Sequence, residues 1–406
     1  MHVAEPGGRG GGLLAWLPSL PLASAIVALA VFMAWSVAAY GHVVAIAGAR
    51  GTDFAQYYVA ARLTLAHGWT APYDVVRYMT ALRAYTGQSD AYANLPPPTL
   101  LVMPLTRLPL GIAYGVWNAI LVSGFAVACW AAAPGRGWAR VAQLLASLVA
   151  FQVLSAIALG QLALAVGALL VLHWWLLRRD RPILAGIVLG LAFVKPQNVV
   201  LAPLALLLSG RWRTAAASTV TAAALGAACL LALGPGGVQM YLRTVAFELR
   251  HQPAGHFTLT AVLGGVLPWA AVAVAPLALV VLVALDRRDH QPERPLVAAV
   301  LASHLASPYL NGADLALLTP CAWLTLRSST PGSTGPAQAE PWWPPARWIG
   351  WTAVALNVLP VYPQGSGMPV VTVSMQLVWL AALAAPAAGG ALTRAFSAPA
   401  PAATEE

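Results

Sequence analysis

Charge is what this chain has least of. Only 9% of its 406 residues are Asp, Glu, Lys or Arg, against about 25% in an ordinary soluble domain, while 59% are hydrophobic. Such a surface cannot be solvated by water all round, so a soluble fold is excluded and a membrane protein is expected. Cysteine is almost as scarce. Cys129, Cys229 and Cys321 lie inside apolar stretches without C-x-x-C spacing, which excludes a disulfide framework or a zinc ribbon and leaves them as small buried hydrophobes. The formal charge of +9 does not point to nucleic acid, because no basic segment is interleaved with aromatics and much of the arginine sits in short loops. Lysine is nearly absent: Lys195 stands alone beside twenty-one arginines.

Apolar runs of about 20 residues, each enough for one crossing, recur along almost the whole chain. The first, at 20–47, is far longer than a signal-peptide core of roughly 7–15 residues and reads as a retained helix. With Arg9 and the Gly-rich head inside, the chain emerges outside for residues 48–98. Later loops agree with that orientation: Arg136 and Arg140, then Arg178, Arg179 and Arg181, then Arg211 and Arg213, then Arg287 and Arg288, then Arg327 all fall on one side. Two short-run pairs, 183–194 with 199–209 and 296–306 with 313–326, are broken by "KPQN" and "SPYLNG". An outer loop is expected at 234–258, between runs at 215–233 and 259–285.

The expected fold is all-α and polytopic, with about 10–12 transmembrane helices and an outer loop of amphipathic surface helices after the first. The expected divisions are a cytoplasmic head (1–19), a transmembrane core (20–327, outer loop 48–98), a cytoplasmic linker (328–346), C-terminal transmembrane helices (347–387) and a polar tail (388–406). No copy-like internal repeat is visible, which weighs against the two-fold architecture common in secondary transporters.

The outer loop opens with "GTDFAQYYVAARL". Phe54, Tyr57, Tyr58, Ala61 and Leu65 recur at helical spacing with Gln56 and Arg62 elsewhere on the wheel, as in a helix lying along a membrane surface. Asp53 with Gln56 three residues on has the spacing of a capping box, so the carboxylate has a structural reading as well as a chemical one. "LPPPTLLVMPLTRLP" then leads toward the next span, its prolines forbidding one continuous helix.

Lys195, inside "AFVKPQN", falls toward the outer side. A cation at membrane depth pairs, snorkels or faces a polar cavity, and Pro196 interrupts the helix beside it. "ASHLASPYLNGADLALL" brings His304, Tyr309, Asn311 and Asp314 to the same side. Each of these has a structural reading, Asp314 as a cap and His304 as a packing histidine. Their arrival beside Asp53 and Lys195 is what suggests a site. Gln161, Arg243, Glu248, Arg250, His251 and His256 share that face; "RHQPAGH" lacks the i, i+4 spacing of a helical zinc motif and no metal is expected.

Taken in order, "GTDFAQYYVAARLTLAHGWTAPYD", "LPPPTLLVMPLTRLP", "LGQLALAVGALLVLHWWLLRRDRPILAGIVLGLAFVKPQ" and "ASPYLNGADLALLTP" resemble glycosyltransferase family 87, also called DUF2029, within the GT-C superfamily. The similarity runs from about residue 20 to about 325. It implies a membrane-embedded, inverting hexosyltransferase, with mannose as the sugar. The donor would be a polyprenol-phosphate sugar and the acceptor a hydroxyl of an envelope glycolipid or glycan, at the outer face of a bacterial inner membrane. The resemblance makes Asp53 the catalytic base and matches Lys195 and the Ser307, Pro308, Tyr309 and Asp314 positions; Gly312 and Ala313 stand where an aromatic commonly precedes that aspartate.

On this reading Lys195, with Arg250 and His251, meets the donor phosphate. Tyr57, Gln161, Gln197, His304, Tyr309, Asn311 and Asp314 orient sugar or acceptor. No cofactor or nucleic acid is expected; the partners are the lipid-linked sugar, the acceptor and membrane lipids. The competing class is a transporter or flippase for a lipid-linked anion, which would hold its polar groups near the bilayer centre rather than at one face.

Overall fold

The computed structural model describes residue 34 and residues 52–251, 257–263, 269–285, 291–307, 309–328 and 367–396. The expected first span at 20–47 (residue 34 apart), the linker from 329, the run at 348–361 and the tail from 397 lie outside the described residues. Among the described residues every regular element is a helix and none is a strand, the all-α architecture that the apolar runs imply.

The outer segment forms α1 (Thr52–His67), a 3₁₀ turn at Ala71–Tyr73, α2 (Val75–Thr86) and α3 (Pro96–Val102). Asp74 starts α2 by accepting the Arg77 amide at 3.1 Å, and Gly87 ends it in the left-handed region. The core follows with α4 (Leu110–Ala132), α5 (Trp138–Leu148), α6 (Phe151–Leu159), α7 (Ala163–Arg178), α8 (Pro182–Leu191) and α9 (Ala202–Leu208). After it come α10 (Trp212–His251), α11 (Leu259–Leu263), α12 (Trp269–Leu285), α13 (Glu293–Ala306), α14 (Leu318–Ser328) and α15 (Gly367–Phe396).

Two helices, Leu110–Ala132 and Trp212–Glu248, are long and apolar enough to cross a membrane, and α5 with α6 makes a third if that pair, bent by 54°, is one span. Among the described residues the other apolar helical stretches are shorter. Ala163–Arg178, Pro182–Val194 and Val370–Ala384 are shorter apolar helices, and Pro196 and the residues around Gly312 divide the two broken pairs where the sequence divides them. The chain is a helical membrane protein whose single-helix spans, counted by length among the described residues, are fewer than the apolar runs.

The outer loop expected at 234–258 is largely helix instead. Gly234 alone leaves helical geometry (φ 63°, ψ 175°), Pro235 sits just after it, and the helix resumes to His251. A proline at the first position of a new helical segment loses no hydrogen bond it would have made, so the pair kinks the helix without ending it.

Two apolar cores meet in the middle of the molecule. One gathers α7, α8, α9, α13, α14 and α15. The other joins the outer segment to α4, α6 and the start of α7 through Phe54, Tyr57, Tyr58, Tyr78, Tyr92, Trp117 and Phe125. The 3₁₀ turn Gly312–Leu317 belongs to both: Ala313 and Ala316 face the outer core, Leu315 and Leu317 the inner one. Phe54, Tyr57, Tyr58, Val59, Ala60 and Ala61 are all buried, so the first turns of α1 are enclosed by protein, and only near Leu65, 62% exposed, does the helix present an apolar side chain outward. The wheel pattern of α1 thus marks the strip facing α2, α3 and α4.

α8 and α10 pack closest. A Cβ on Gly186 would lie 2.5 Å from the Thr214 carbonyl oxygen, and one on Gly190 would lie 2.4 Å from Thr221 Cβ. Two glycines four residues apart, facing Thr214, Ala217, Ser218 and Thr221, let the backbones approach as they do in small-residue contacts between membrane helices. Gly186→Ala and Gly190→Ala are each expected to cost about 1–3 kcal/mol through overpacking. The thermal midpoint of the detergent-solubilised protein should fall for both, while Gly226→Ala, where an added Cβ meets nothing within 4 Å, should not lower it.

Candidate active site

Four side chains from four separate stretches form one hydrogen-bonded series. The Gln161 amide donates through Nε2 to Asp53 Oδ2 and accepts through Oε1 from Lys195 Nζ at 2.7 Å. Lys195 Nζ also pairs with Asp314 Oδ1. The other oxygen of Asp314, Oδ2, accepts the Asn311 backbone amide at 3.1 Å.

Each member is turned inward by local chemistry. Gly160 ends α6 in the left-handed region (φ +68°), with its own amide bonded to the Ile157 carbonyl and the Gln161 amide to that of Ala156, the two bonds of a Schellman turn. The freed carbonyls of that turn are taken from α4: Trp117 Nε1 donates to Gly160 at 2.8 Å, and the Tyr114 hydroxyl lies 2.9 Å from both Ile157 and Ala158 oxygens. A Cβ on Gly160 would sit 2.7 Å from Phe54 Cβ. Only glycine therefore allows α1 to come down on the turn and bring Asp53 to Gln161.

Lys195 precedes a proline, which disfavours helical geometry for it, and it lies at φ −134°, ψ 77° between the 3₁₀ turns Ala192–Val194 and Pro196–Asn198. Asp314 is the third residue of the next 3₁₀ turn and completes a capping box with Asn311. The capping role read from the sequence is therefore real, and the same carboxylate holds the lysine with its second oxygen. Asp53 differs: α1 already begins at Thr52, so Asp53 lies within the first turn and its carboxylate reaches across to Gln161.

Burial sets the electrostatics. Asp314 is fully buried and Lys195 only 7% exposed, so neither charge is solvated and each depends on the other. Asp53 keeps some accessible surface, yet burial is the largest influence on it and pushes its carboxyl up to about 7; Asp314 and Asp90 push the same way, while Lys195 and Gln161 pull down less than burial pushes up. Tyr57, buried one turn further along α1, has its hydroxyl pushed up by burial and then by Asp53. At the rim, Glu248 near the end of α10 accepts the Ala91 amide at 2.7 Å, tying the outer segment to the long helix. Burial and that glutamate together raise the Asp90 carboxyl.

Of the residues singled out in the sequence, Asp53, Gln161, Lys195, Asn311 and Asp314 are joined by these bonds. Tyr57 and Tyr309 stand within electrostatic reach of both aspartates. Gln197 is half-buried beside Lys195 and makes no described bond to the series. His304 is completely buried on α13 with both ring nitrogens lacking a hydrogen-bond partner among the described residues. The side chains of Arg250 and His251, and His256 altogether, lie outside the described residues. Trp117, Tyr114 and Gly160, which hold the turn in place, were not singled out; the only trace of them in the sequence is the "LGQ" that follows an apolar helix. Among the described residues no three His, Cys, Asp or Glu side chains gather as a metal site would need.

A helical membrane chain with a buried carboxylate–amide–ammonium–carboxylate series on the seam between its two apolar cores is the setting in which the comparison with known proteins falls. The family model of glycosyltransferase family 87 matches residues 92–308, more than half of the chain, and the chain belongs to that family. It is thus a glycosyltransferase, acting on a sugar donor and an acceptor. Gln161 and Lys195 fall inside the matched stretch, Asp314 shortly after it and Asp53 well before it. No curated protein and no solved structure matches the chain.

Removing one partner of the buried pair leaves an uncompensated charge. Asp314→Asn and Lys195→Met are each expected to destabilise the protein by about 3–5 kcal/mol, and the double variant Lys195→Met/Asp314→Leu to recover most of that loss. Thermal unfolding of the purified protein in detergent measures all three.

Proposed function

We propose that the chain transfers a hexose, mannose in the first instance, from a polyprenol-phosphate donor to a hydroxyl of an envelope glycolipid or glycan, at the outer face of a bacterial inner membrane and with inversion at the anomeric carbon. Asp53 is the base. Its carboxylate takes the proton of the acceptor hydroxyl as that oxygen bonds to the anomeric carbon. The bond from that carbon to the phosphate oxygen breaks, and the electron pair leaves with the polyprenyl phosphate. Attack from the face opposite the phosphate, through an oxocarbenium-like transition state, inverts the configuration.

The observation that carries this reading is the Asp53–Gln161–Lys195–Asp314 series. A lysine ammonium has three donors; two are used on Gln161 and Asp314, which leaves one for a phosphate oxygen as charge builds on the leaving group. Asn311 is bonded to Asp314, the carboxylate paired with that cation, and Tyr309 lies within electrostatic reach of the same carboxylate, both suited to sugar hydroxyls, with Tyr57 within reach of Asp53.

Depth favours an enzyme over a carrier. Gln161 lies just before the start of α7 and Arg178 is its last residue, about 24 Å away at 1.5 Å per residue for 16 residues. At that far end Arg178 and Trp174 both bond to the buried Glu293, the contact from Arg178 Nε being 2.9 Å and that from Trp174 Nε1 2.7 Å. Arg327 lies over the Trp174 ring and donates to the carbonyls of Ala131, Ala132 and Ala133. One charged group therefore sits at each end of α7, and between them, tryptophans apart, the helix carries a single polar side chain, the buried His173, which lies 2.8 Å from the Ala185 carbonyl. A flippase would need polar groups near the middle. Arg327 lies within electrostatic reach of Arg140 and Arg178, and Arg211 of His173 on the same helix as Arg178, which supports an outer placement of Asp53 under the positive-inside rule.

The test is incubation of the purified protein with labelled polyprenyl-phosphate hexoses and the membrane-lipid extract of the source organism. A labelled lipid or glycan product is expected from polyprenyl-phosphate mannose, and no transfer from any hexose would overturn the reading. Asp53→Asn should lower the rate by about 10²–10⁴-fold. The base acts deprotonated, so with its carboxyl raised to about 7, kcat/KM should climb with pH through about 7 and level off above it, where an ordinary carboxylate would already have levelled off.

A further inference from the structure

Gln161 is the group that touches both the Asp53 carboxylate and the Lys195 ammonium. Its amide can serve them in only one orientation, nitrogen toward the carboxylate and oxygen toward the ammonium. It is also held firmly. It follows the left-handed Gly160, its own backbone amide is bonded to the Ala156 carbonyl at 2.8 Å, and it is only 3% exposed. The bond to Gln161 occupies Oδ2 of Asp53, and Oδ1 has no hydrogen-bond partner among the described residues.

We propose that Gln161 is a positioning residue of the transfer reaction, whose amide spaces the base Asp53 from Lys195 and leaves Oδ1 as the oxygen presented to the acceptor hydroxyl. This rests on Asp53 being the base. Without the spacer, the ammonium and the carboxylate are free to pair directly. A base so paired holds protons less readily and is the weaker for it.

The groups that face Asp53 are few enough to make the effect readable. Among the described residues they are Lys195 and Asp314 from the two broken-helix turns, Asp90 from the stretch after α2, Tyr57 on its own helix, Tyr78 on α2 and Tyr309 before the Gly312–Leu317 turn. Glu248 on α10 acts on Asp90. Of these, only Lys195 is bonded to Gln161 and is released when Gln161 is replaced.

The experiment is an infrared pH titration of the full-length protein in detergent, following the carboxyl band that Asp53→Asn removes, with transfer kinetics from polyprenyl-phosphate mannose measured alongside. Gln161→Ala removes both bonds and the side-chain volume between the two charges, so direct pairing with Lys195 should outweigh the lost Gln161 bond and the Asp53 band should titrate about one pH unit lower or more. Gln161→Glu changes a single atom and sets a second carboxylate against the first, so the band should titrate higher by a similar amount. Both should lower kcat at least tenfold with the ascending limb of kcat/KM displaced in the same directions, and Gln161→Asn, which keeps the amide one methylene short, should fall between them and the parent protein. Should the Ala variant fail to fold, the Glu variant still reads the contact of residue 161 with Asp53, with the opposite sign. An Asp53 band and a pH limb unmoved in Gln161→Glu would overturn the proposal, whether or not activity was lost. Full transfer activity in Asp53→Asn would instead overturn the assignment of the base, an outcome distinguishable because the band shift does not depend on turnover.

Discussion

The buried pairing of Lys195 with Asp314 is the contact on which the centre of this protein depends. Two opposite charges, each nearly or wholly removed from solvent, hold together two interrupted helices that are otherwise joined, among the described residues, by apolar contact and the 3.1 Å bond from the Leu201 amide to the Ser303 hydroxyl. Such a pair is a poor way to gain stability, since desolvation takes back most of the attraction. What it provides is a fixed geometry. Each interruption exposes backbone groups at membrane depth, and the capping box of Asn311 and Asp314 and the 3₁₀ turns flanking Lys195 satisfy part of that demand locally. The breaks in the helices and the charged residues are thus one arrangement rather than two.

Around that pair the packing divides by residue size. Aromatic side chains dominate the outer core, where Phe54, Tyr58, Tyr73, Tyr78, Tyr92 and Trp117 meet, several with hydroxyls or ring nitrogens anchored to backbone carbonyls. Alanine, leucine and valine dominate the inner core, where helices lie against one another with little between them. Large rings with polar tips suit a region where one end of a side chain is apolar and the other wet. Small aliphatic residues suit helix against helix, as at Gly186 and Gly190. The carboxylate, amide and ammonium gather on the seam between these two regions.

Much of this was legible in the sequence because charge is so rare in it. A lone lysine before a proline, an aspartate after a long apolar run and another three residues beyond an asparagine stand out where nine residues in ten carry no charge. The all-α membrane class and the positions of both helix breaks follow from the same scarcity. What composition could not carry was contact at a distance. Gln161 was visible only as a polar residue among others, since nothing local tells that it lies between Asp53, 108 residues before it, and Lys195, 34 after it. The helix through Gly234 and Pro235 was hidden for a different reason: the pair is the usual mark of a loop, and only tertiary context decides between a loop and a kink. His304, grouped with the site by its side of the membrane, lies within electrostatic reach of Asp314 and Lys195, yet it is enclosed with no hydrogen-bond partner for either nitrogen among the described residues, a depth that spacing does not express.

The sequence separation of the ion pair has a consequence for how the chain is made. Lys195 leaves the ribosome 119 residues before Asp314, a delay of roughly 6–24 s at about 5–20 residues per second. For that interval the nascent protein holds a cation whose final counter-charge does not yet exist, while Asp53 and Gln161 have already been synthesised. Gln161 is therefore the earliest of the lysine's two final partners, and the insertion machinery must shelter or hydrate the half-built cluster until the second broken helix arrives to close it.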